Sequence, residues 1–221
     1  DAHLQKAAEM AFDGRPGAAV AIDPRNGQVL AMVSVPTFDP NLFVNGISQP
    51  DYSALTNNPD KPLYNRALRG VYPPGSTVKP LIGLAGLETG MRKPGDTVLS
   101  TGVFYIPGQS RGYRDDQRGG VGTVNLVQAI EMSVNTYLYK LAMDMGIDRF
   151  SAFMGKFGFG RPTGIDLIGE SSGVLPSREW KAANLHQPWY PGETVIAGIG
   201  QGFWAVTPLQ LANAIATFAG H

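Results

Sequence analysis

Ser76 and Lys79 lie three residues apart inside Tyr72-Pro73-Pro74-Gly75-Ser76-Thr77-Val78-Lys79-Pro80. A serine hydroxyl is a weak nucleophile at neutral pH and needs a base within hydrogen-bond reach to form a covalent intermediate. On a helix, positions i and i+3 share a face, so this spacing lets Lys79 set its amine beside the Ser76 oxygen. No other lysine in the chain has a serine three residues before it. A second polar triplet, Ser133-Val134-Asn135, is the one Ser-x-Asn of the sequence. Its hydroxyl suits a proton relay, and its amide can hold a substrate carbonyl or the lysine. Each match also has a plainer reading: Ser76 as a helix cap, and Ser133 or Asn135 as the cap of an inter-helix turn.

The elements around these residues decide whether they can meet. Pro73-Pro74-Gly75 cannot extend a helix backwards, so the sequence predicts a helix from Ser76 to a stop at Gly90. Leu81, Leu84, Ala85 and Leu87 face the core on that helix. Such a start sets Ser76 at the positive end of the helix dipole, near backbone N–H groups able to hold an oxyanion. Ser133 falls between two apolar helical stretches, 124–130 and 137–142. Upstream, a helix over 2–12 precedes two apolar strands that flank Asp23-Pro24-Arg25-Asn26-Gly27, a hairpin signal. Residues 35–75, rich in Pro, Asn and Asp, read as a long ordered excursion toward the site. Residues 91–123 read as loops with short strands. Further helices are predicted over 147–157 and 178–184, and from Thr207-Pro208, an N-cap followed by Pro at N1. Strands followed by many helices point to an α+β fold rather than alternating βαβ units.

Composition narrows the classes. With 221 residues, 43% of them hydrophobic, the chain can bury one substantial core, with room for a helical lobe. Eighteen basic residues balance eighteen acidic ones, and no cationic run suggests nucleic acid as a partner. The absence of cysteine excludes disulfides and thiolate metal sites. His3, His186 and His221 are far apart in sequence and read as surface residues rather than ligands, so neither metal nor cofactor is expected. No stretch approaches the ~20 apolar residues of a membrane-spanning helix.

Ser76-x-x-Lys79 followed by Ser133-Val134-Asn135 fits the motif set of serine enzymes that react with β-lactams. At these residues the chain resembles the penicillin-binding acyltransferases, and more narrowly the class B high-molecular-weight penicillin-binding proteins of the elongation (cell-shape) type. The likeness extends over nearly all of the chain. Residues 17–24 and 27–34 resemble the family's first hairpin, and Asp39-Pro40-Asn41-Leu42-Phe43 with Asn65-Arg66-Ala67 resembles its approach to the nucleophile. Tyr72-Pro73-Pro74-Gly75 favours the elongation over the division type. Pro176-Ser177-Arg178-Glu179-Trp180, Pro188-Trp189-Tyr190 and Gly198-Ile199-Gly200-Gln201-Gly202 resemble later blocks. One motif departs: no Lys, Arg or His is followed by Ser-Gly or Thr-Gly, the family's third element.

The resemblance implies a partial penicillin-binding/β-lactamase-like transpeptidase fold: an antiparallel sheet with helices and a helical lobe. Residues 1–221 would form one transpeptidase domain cut before the third motif, without its C-terminal strands and so inactive or weakly active alone. In the parent protein, Ser76 would attack the penultimate D-Ala carbonyl of a peptidoglycan stem peptide. Lys79 would act as base, held partly neutral by burial and by nearby positive groups, Ser133 would relay the proton, and Asn135 would orient Lys79 and the acyl amide. Gly75, Trp189, Tyr190 and Trp204 would touch substrate, although aromatic residues are more often core. Implied partners are stem peptides, β-lactams, a membrane glycosyltransferase and elongation-complex proteins. The implied location is periplasmic, anchored in the inner membrane by a segment outside this chain. Some elongation-type relatives resemble metal binders in the loop before the second motif; here that loop offers Asp115 and Asp116 without His or Cys, and no metal is expected. The alternatives are a serine β-lactamase or β-lactam sensor, and a non-catalytic scaffold in the wall-synthesis complex.

Overall fold

In the computed structural model, which describes residues 1–220, the Asp1 carboxylate accepts the His3 and Leu4 amides and starts helix α1 (Ala2–Ala11). Strands β1 (Gly17–Ile22) and β2 (Val29–Val35) form the expected antiparallel hairpin, in register from Gly17 opposite Val35, with a bulge at Ala21/Ile22. Asp23 closes its turn. The carboxylate accepts the Arg25 amide at 3.0 Å and the Arg25 Nε and Nη2 at 2.9 and 2.7 Å. These bonds hold the Asp23 carboxyl down at about 2.

The segment expected as a long ordered excursion contains two helices, α2 (Gln49–Asn57) and α3 (Arg66–Arg69). Ser48 caps α2 by accepting the Asp51 amide, and Pro50 sits in its first turn. The helix buries none of its residues, so it carries no apolar stripe for periodicity to reveal.

Around Ser76, a 3-10 turn over Gly75–Val78 leads into α4 (Lys79–Glu88). The α-helix thus begins three residues later than predicted, and neither the turn nor α4 is capped by a side chain. Ser76 is therefore not a helix cap. Pro80 in the first turn of α4 costs no hydrogen bond there and pre-sets the helical φ.

Four short strands follow: β3 (Thr97–Ser100), β4 (Val103–Tyr105), β5 (Gly112–Arg114) and β6 (Gly122–Asn125). β3 pairs with β6 and β4 with β5, both antiparallel. An Asn125–Gln128 capping box then starts α5 (Leu126–Glu131), ahead of α6 (Asn135–Met145) and α7 (Ile147–Met154). The rest is α8 (Arg178–Leu185), α9 (Pro191–Ala197), which the sequence reading passed over, and α10 (Pro208–Ala219). The expected α+β architecture is the one found.

The chain divides into two compact units. In the first, residues 1–71, 161–173 and 206–220, the β1–β2 hairpin packs against α1, α3 and α10 and buries Val33, Leu68, Leu209 and Ala214. In the second, residues 72–160 and 174–205, α4 packs on α6 and α7, and α9 packs on α6. Its core holds Leu81, Ile82, Leu138, Leu141, Phe150, Met154 and Val195. Gly86 permits the α4–α6 approach, because a Cβ there would stand 2.8 Å from Leu141 Cδ1.

Candidate active site

All the chemistry predicted from the two motifs gathers in the second unit. Ser76 is exposed on the 3-10 turn, and its Oγ accepts from Ser133 Oγ at 3.1 Å. Lys79 Nζ lies 2.9 Å from Ser133 Oγ, 2.8 Å from the Ser133 carbonyl and 2.6 Å from Asn135 Oδ1. The four residues are thus brought together, with one difference from expectation. Lys79 reaches Ser76 through Ser133 rather than through a direct hydrogen bond.

Backbone geometry explains how Ser133 enters that chain. It occupies the left-handed region at φ 56°, where an L residue costs roughly 1–2 kcal/mol. The strain is imposed by the reversal after α5: the Ser133 amide donates to Ile130 and the Val134 amide to Ala129. This bend turns both the Ser133 carbonyl and its hydroxyl toward Lys79. Strained residues of this kind concentrate where a structure holds a side chain for a task.

Lys79 is 1% exposed, and burial lowers its pKa from the ordinary lysine value. The charges near it are not the positive groups expected. Asp115 and Asp116 oppose the shift, with burial the larger influence. Donor bookkeeping suits either protonation state. A neutral amine can give its two N–H groups to the Ser133 carbonyl and Asn135 Oδ1, leaving its lone pair for the Ser133 hydroxyl. An ammonium can donate to all three. One proton can therefore move along Ser76–Ser133–Lys79 without orphaning a buried acceptor.

Sequence reasoning missed a further residue here. Asp115, considered only as a metal ligand, follows β5 and meets the first turn of α6. Its Oδ1 accepts the Asn135 amide at 3.1 Å; its Oδ2 accepts the Thr136 amide at 2.8 Å and Thr136 Oγ1 at 2.9 Å. A carboxylate is a common helix cap, but this one comes from 20 residues upstream, so no local capping pattern announces it.

The penicillin binding protein transpeptidase domain family matches residues 17–221. The chain belongs to that family. Within it, the chain falls in the class B elongation type whose blocks the sequence resembled. It is 49% identical over 215 residues to the peptidoglycan D,D-transpeptidase MrdA of Escherichia coli K12, covering 97% of this chain and 34% of that one. It superposes on Pseudomonas aeruginosa PBP2 in complex with WCK 5153 with a TM-score of 0.97, at 53% identity, covering 100% of this chain and 50% of that one. A Helicobacter pylori PBP2, in complex with MreC, matches at 37% identity with a TM-score of 0.90, covering 96% and 39%. The chain thus spans about a third of the length of the MrdA relative.

In this transpeptidase domain, the remaining predicted contacts separate. Gly75, at φ 57°, donates its amide to the Gly200 carbonyl at 2.9 Å, which fixes the segment just before Ser76. Trp204 is buried; its Nε1 donates to the Ala197 carbonyl, and its ring meets Phe150 and Phe159 edge-on. That is a core role, away from any cleft surface. Trp189 is also buried and donates to Thr194 Oγ1 at 2.8 Å. Tyr190 is exposed and lines an open cavity of about 390 Å³ with Gln109, Arg111, Tyr113 and Glu193. Beneath it Lys181, 1% exposed, pairs with Glu193 and stacks against the Tyr190 and Phe203 rings.

Proposed function

We propose that this chain carries the acyl-transfer machinery of a peptidoglycan D,D-transpeptidase of the elongation type. The observation that carries the reading is the hydrogen-bonded series Ser76–Ser133–Lys79–Asn135, with an exposed hydroxyl at one end and a buried, pKa-depressed amine within it. Ser76 Oγ attacks the penultimate D-Ala carbonyl while its proton passes through Ser133 to neutral Lys79. Collapse of the tetrahedral adduct breaks the D-Ala–D-Ala bond, and the same proton returns through Ser133 to the departing amine. An amine of a second stem peptide then attacks the Ser76 ester, forming the cross-link and restoring the hydroxyl. Gly75, Tyr190 and the cavity beside Tyr190 are the surfaces nearest in kind to substrate contacts.

The same reading assigns the intact protein to the periplasmic face of the inner membrane, working with a membrane glycosyltransferase and elongation-complex proteins. Its support is family membership and the H. pylori relative captured with MreC. No helix among the described residues is long and apolar enough to cross a membrane.

The test is covalent labelling by a fluorescent penicillin in a protein carrying this chain at the full length of its relatives. Ring opening expels no leaving group, so the expected adduct adds the whole mass of the antibiotic to Ser76. It should persist for many minutes and vanish in Ser76→Ala. Rapid hydrolysis of the adduct would instead favour a β-lactamase, and no adduct at all would favour a scaffold.

A further inference from the structure

Asp115 makes three hydrogen bonds to the start of α6, at 3.1, 2.8 and 2.9 Å, and two of them go to the backbone of Asn135 and Thr136. With its proton given to Asp115, Thr136 Oγ1 accepts from the buried Ser100 Oγ, 2.8 Å away at the end of β3. Tyr139, one turn further along α6, donates its hydroxyl to the Arg114 carbonyl, the residue just before Asp115. The end of the β4–β5 hairpin is therefore bolted to the first turns of α6, at Asn135, Thr136 and Tyr139. α6 has no side-chain cap from its own N-cap residue, Val134, so Asp115 does that work from a distance. The Asn135 backbone is held from this side while its amide oxygen accepts from Lys79 on the other.

We propose that Asp115 is a positioning residue for the acyl-transfer series: it fixes the Ser133–Asn135 bend and sets how readily Lys79 holds a proton. The proposal rests on the acyl-enzyme reading above. Its electrostatic half follows from placement. Asp115 and Asp116 are the acidic groups acting on Lys79, and both favour its charged form against burial. Tyr139 lies in the same field, with its hydroxyl pushed up to about 12 by burial first and then by these two carboxylates, so it stays neutral over any working range. Ser76, Ser133 and Asn135, the other groups facing the amine, do not titrate there. Removing the Asp115 charge therefore makes Lys79 lose its proton at lower pH. Removing its acceptor geometry loosens Asn135 and Thr136.

The experiment compares penicillin acylation rates of wild type, Asp115→Asn, Asp115→Glu and Ser76→Ala across pH, in the full-length protein, with thermal unfolding to confirm folding. Asp115→Asn keeps the size of the side chain, loses its charge and one acceptor, and should slow acylation about ten- to a hundredfold, the scale of a charged hydrogen bond. Its rising limb should also move to lower pH. Asp115→Glu restores the charge and should return the limb toward wild type. A folded Asp115→Asn protein with the wild-type rate overturns the proposal. So does one that slows with an unmoved limb, which is what packing alone would give. A wild type that labels no faster than Ser76→Ala overturns the acyl-enzyme reading itself and the proposal with it.

Discussion

At the scale of single residues, the proposed chemistry depends on a hydroxyl placed between Ser76 as nucleophile and Lys79 as base. Among the described residues, Ser133 is the sole side chain hydrogen-bonded to both Ser76 and Lys79. Ser133→Ala should cut penicillin acylation by roughly 10²–10⁴, the usual worth of positioned proton transfer, while leaving the fold intact. Stopped-flow labelling reads this directly, and a loss below threefold would show that Lys79 reaches Ser76 by another route. The lysine also dictates a pH dependence. Burial lowers its pKa in the folded protein, so the reactive neutral form gains population below the ordinary lysine range. Acylation should therefore rise with pH along a limb centred below the model-compound lysine value. Stability follows the same sign. Unfolded lysine binds its proton more tightly than the folded one, so this group makes stability rise with pH between the two values. Below the folded value both states are protonated, and the burial penalty is felt in full. A denaturant midpoint that falls with pH across that window, in wild type relative to Lys79→Met, would contradict the direction.

At the scale of elements, a close backbone approach sets the place of Ser76, the proposed nucleophile. Gly200 has φ 71°, its carbonyl accepts the Gly75 amide, and a Cβ on it would stand 2.2 Å from the Gly75 carbonyl oxygen. Gly202 has a similar φ of 78°, but a Cβ there meets only the flexible Ile196 Cγ2, at 3.2 Å. Both Gly→Ala changes carry the left-handed strain of roughly 1–2 kcal/mol, and Gly200→Ala adds an overpacking cost of about 1–3 kcal/mol. Gly200→Ala should therefore slow acylation at least about tenfold by shifting Ser76, whereas Gly202→Ala should lose mainly melting temperature. Equal rates in the two variants would sink this account. The contrast also marks what was legible in the sequence. Local signals carried well: the Asp23–Gly27 turn, the Thr207-Pro208 helix start and the helices flanking Ser133 all appear where residue chemistry sets them. Signals that depend on tertiary partners did not. The α2 helix buries no side chain and so leaves no periodicity. A serine after Pro-Pro-Gly reads as a cap and so sets the α4 start at Ser76, whereas the Ser76 hydroxyl faces Ser133 and α4 starts at Lys79. Asp115 stayed hidden because its partners are 20 and 21 residues away.

At the scale of the whole molecule, the groups of the proposed acyl-transfer series and the sources of stability are distributed unevenly. Ser76, Lys79, Asp115, Ser133, Asn135 and the Gly75–Gly200 contact all belong to the second compact unit, as do all three tryptophans. The first unit holds the β1–β2 hairpin with α1, α3 and α10. Thr207 starts α10 there with a reciprocal capping box: its Oγ1 accepts the Gln210 amide at 3.0 Å, and Gln210 Oε1 accepts the Thr207 amide at 2.9 Å. Gln210 Nε2 then donates to the Arg161 and Ser172 carbonyls, so the cap also ties the 161–173 segment into its unit. Thr207→Ala removes one partner of this buried box and should cost about 1–2 kcal/mol, a clear drop in the far-UV circular dichroism midpoint. Among the described residues, the box bonds to Arg161 and Ser172 and to none of the proposed acyl-transfer groups. At temperatures well below the midpoint, penicillin acylation by Thr207→Ala should therefore stay within about twofold of wild type. A large loss of acylation in a protein that remains folded would mean that the first unit governs the chemistry of the second, and that the site is not complete in the residues that form it.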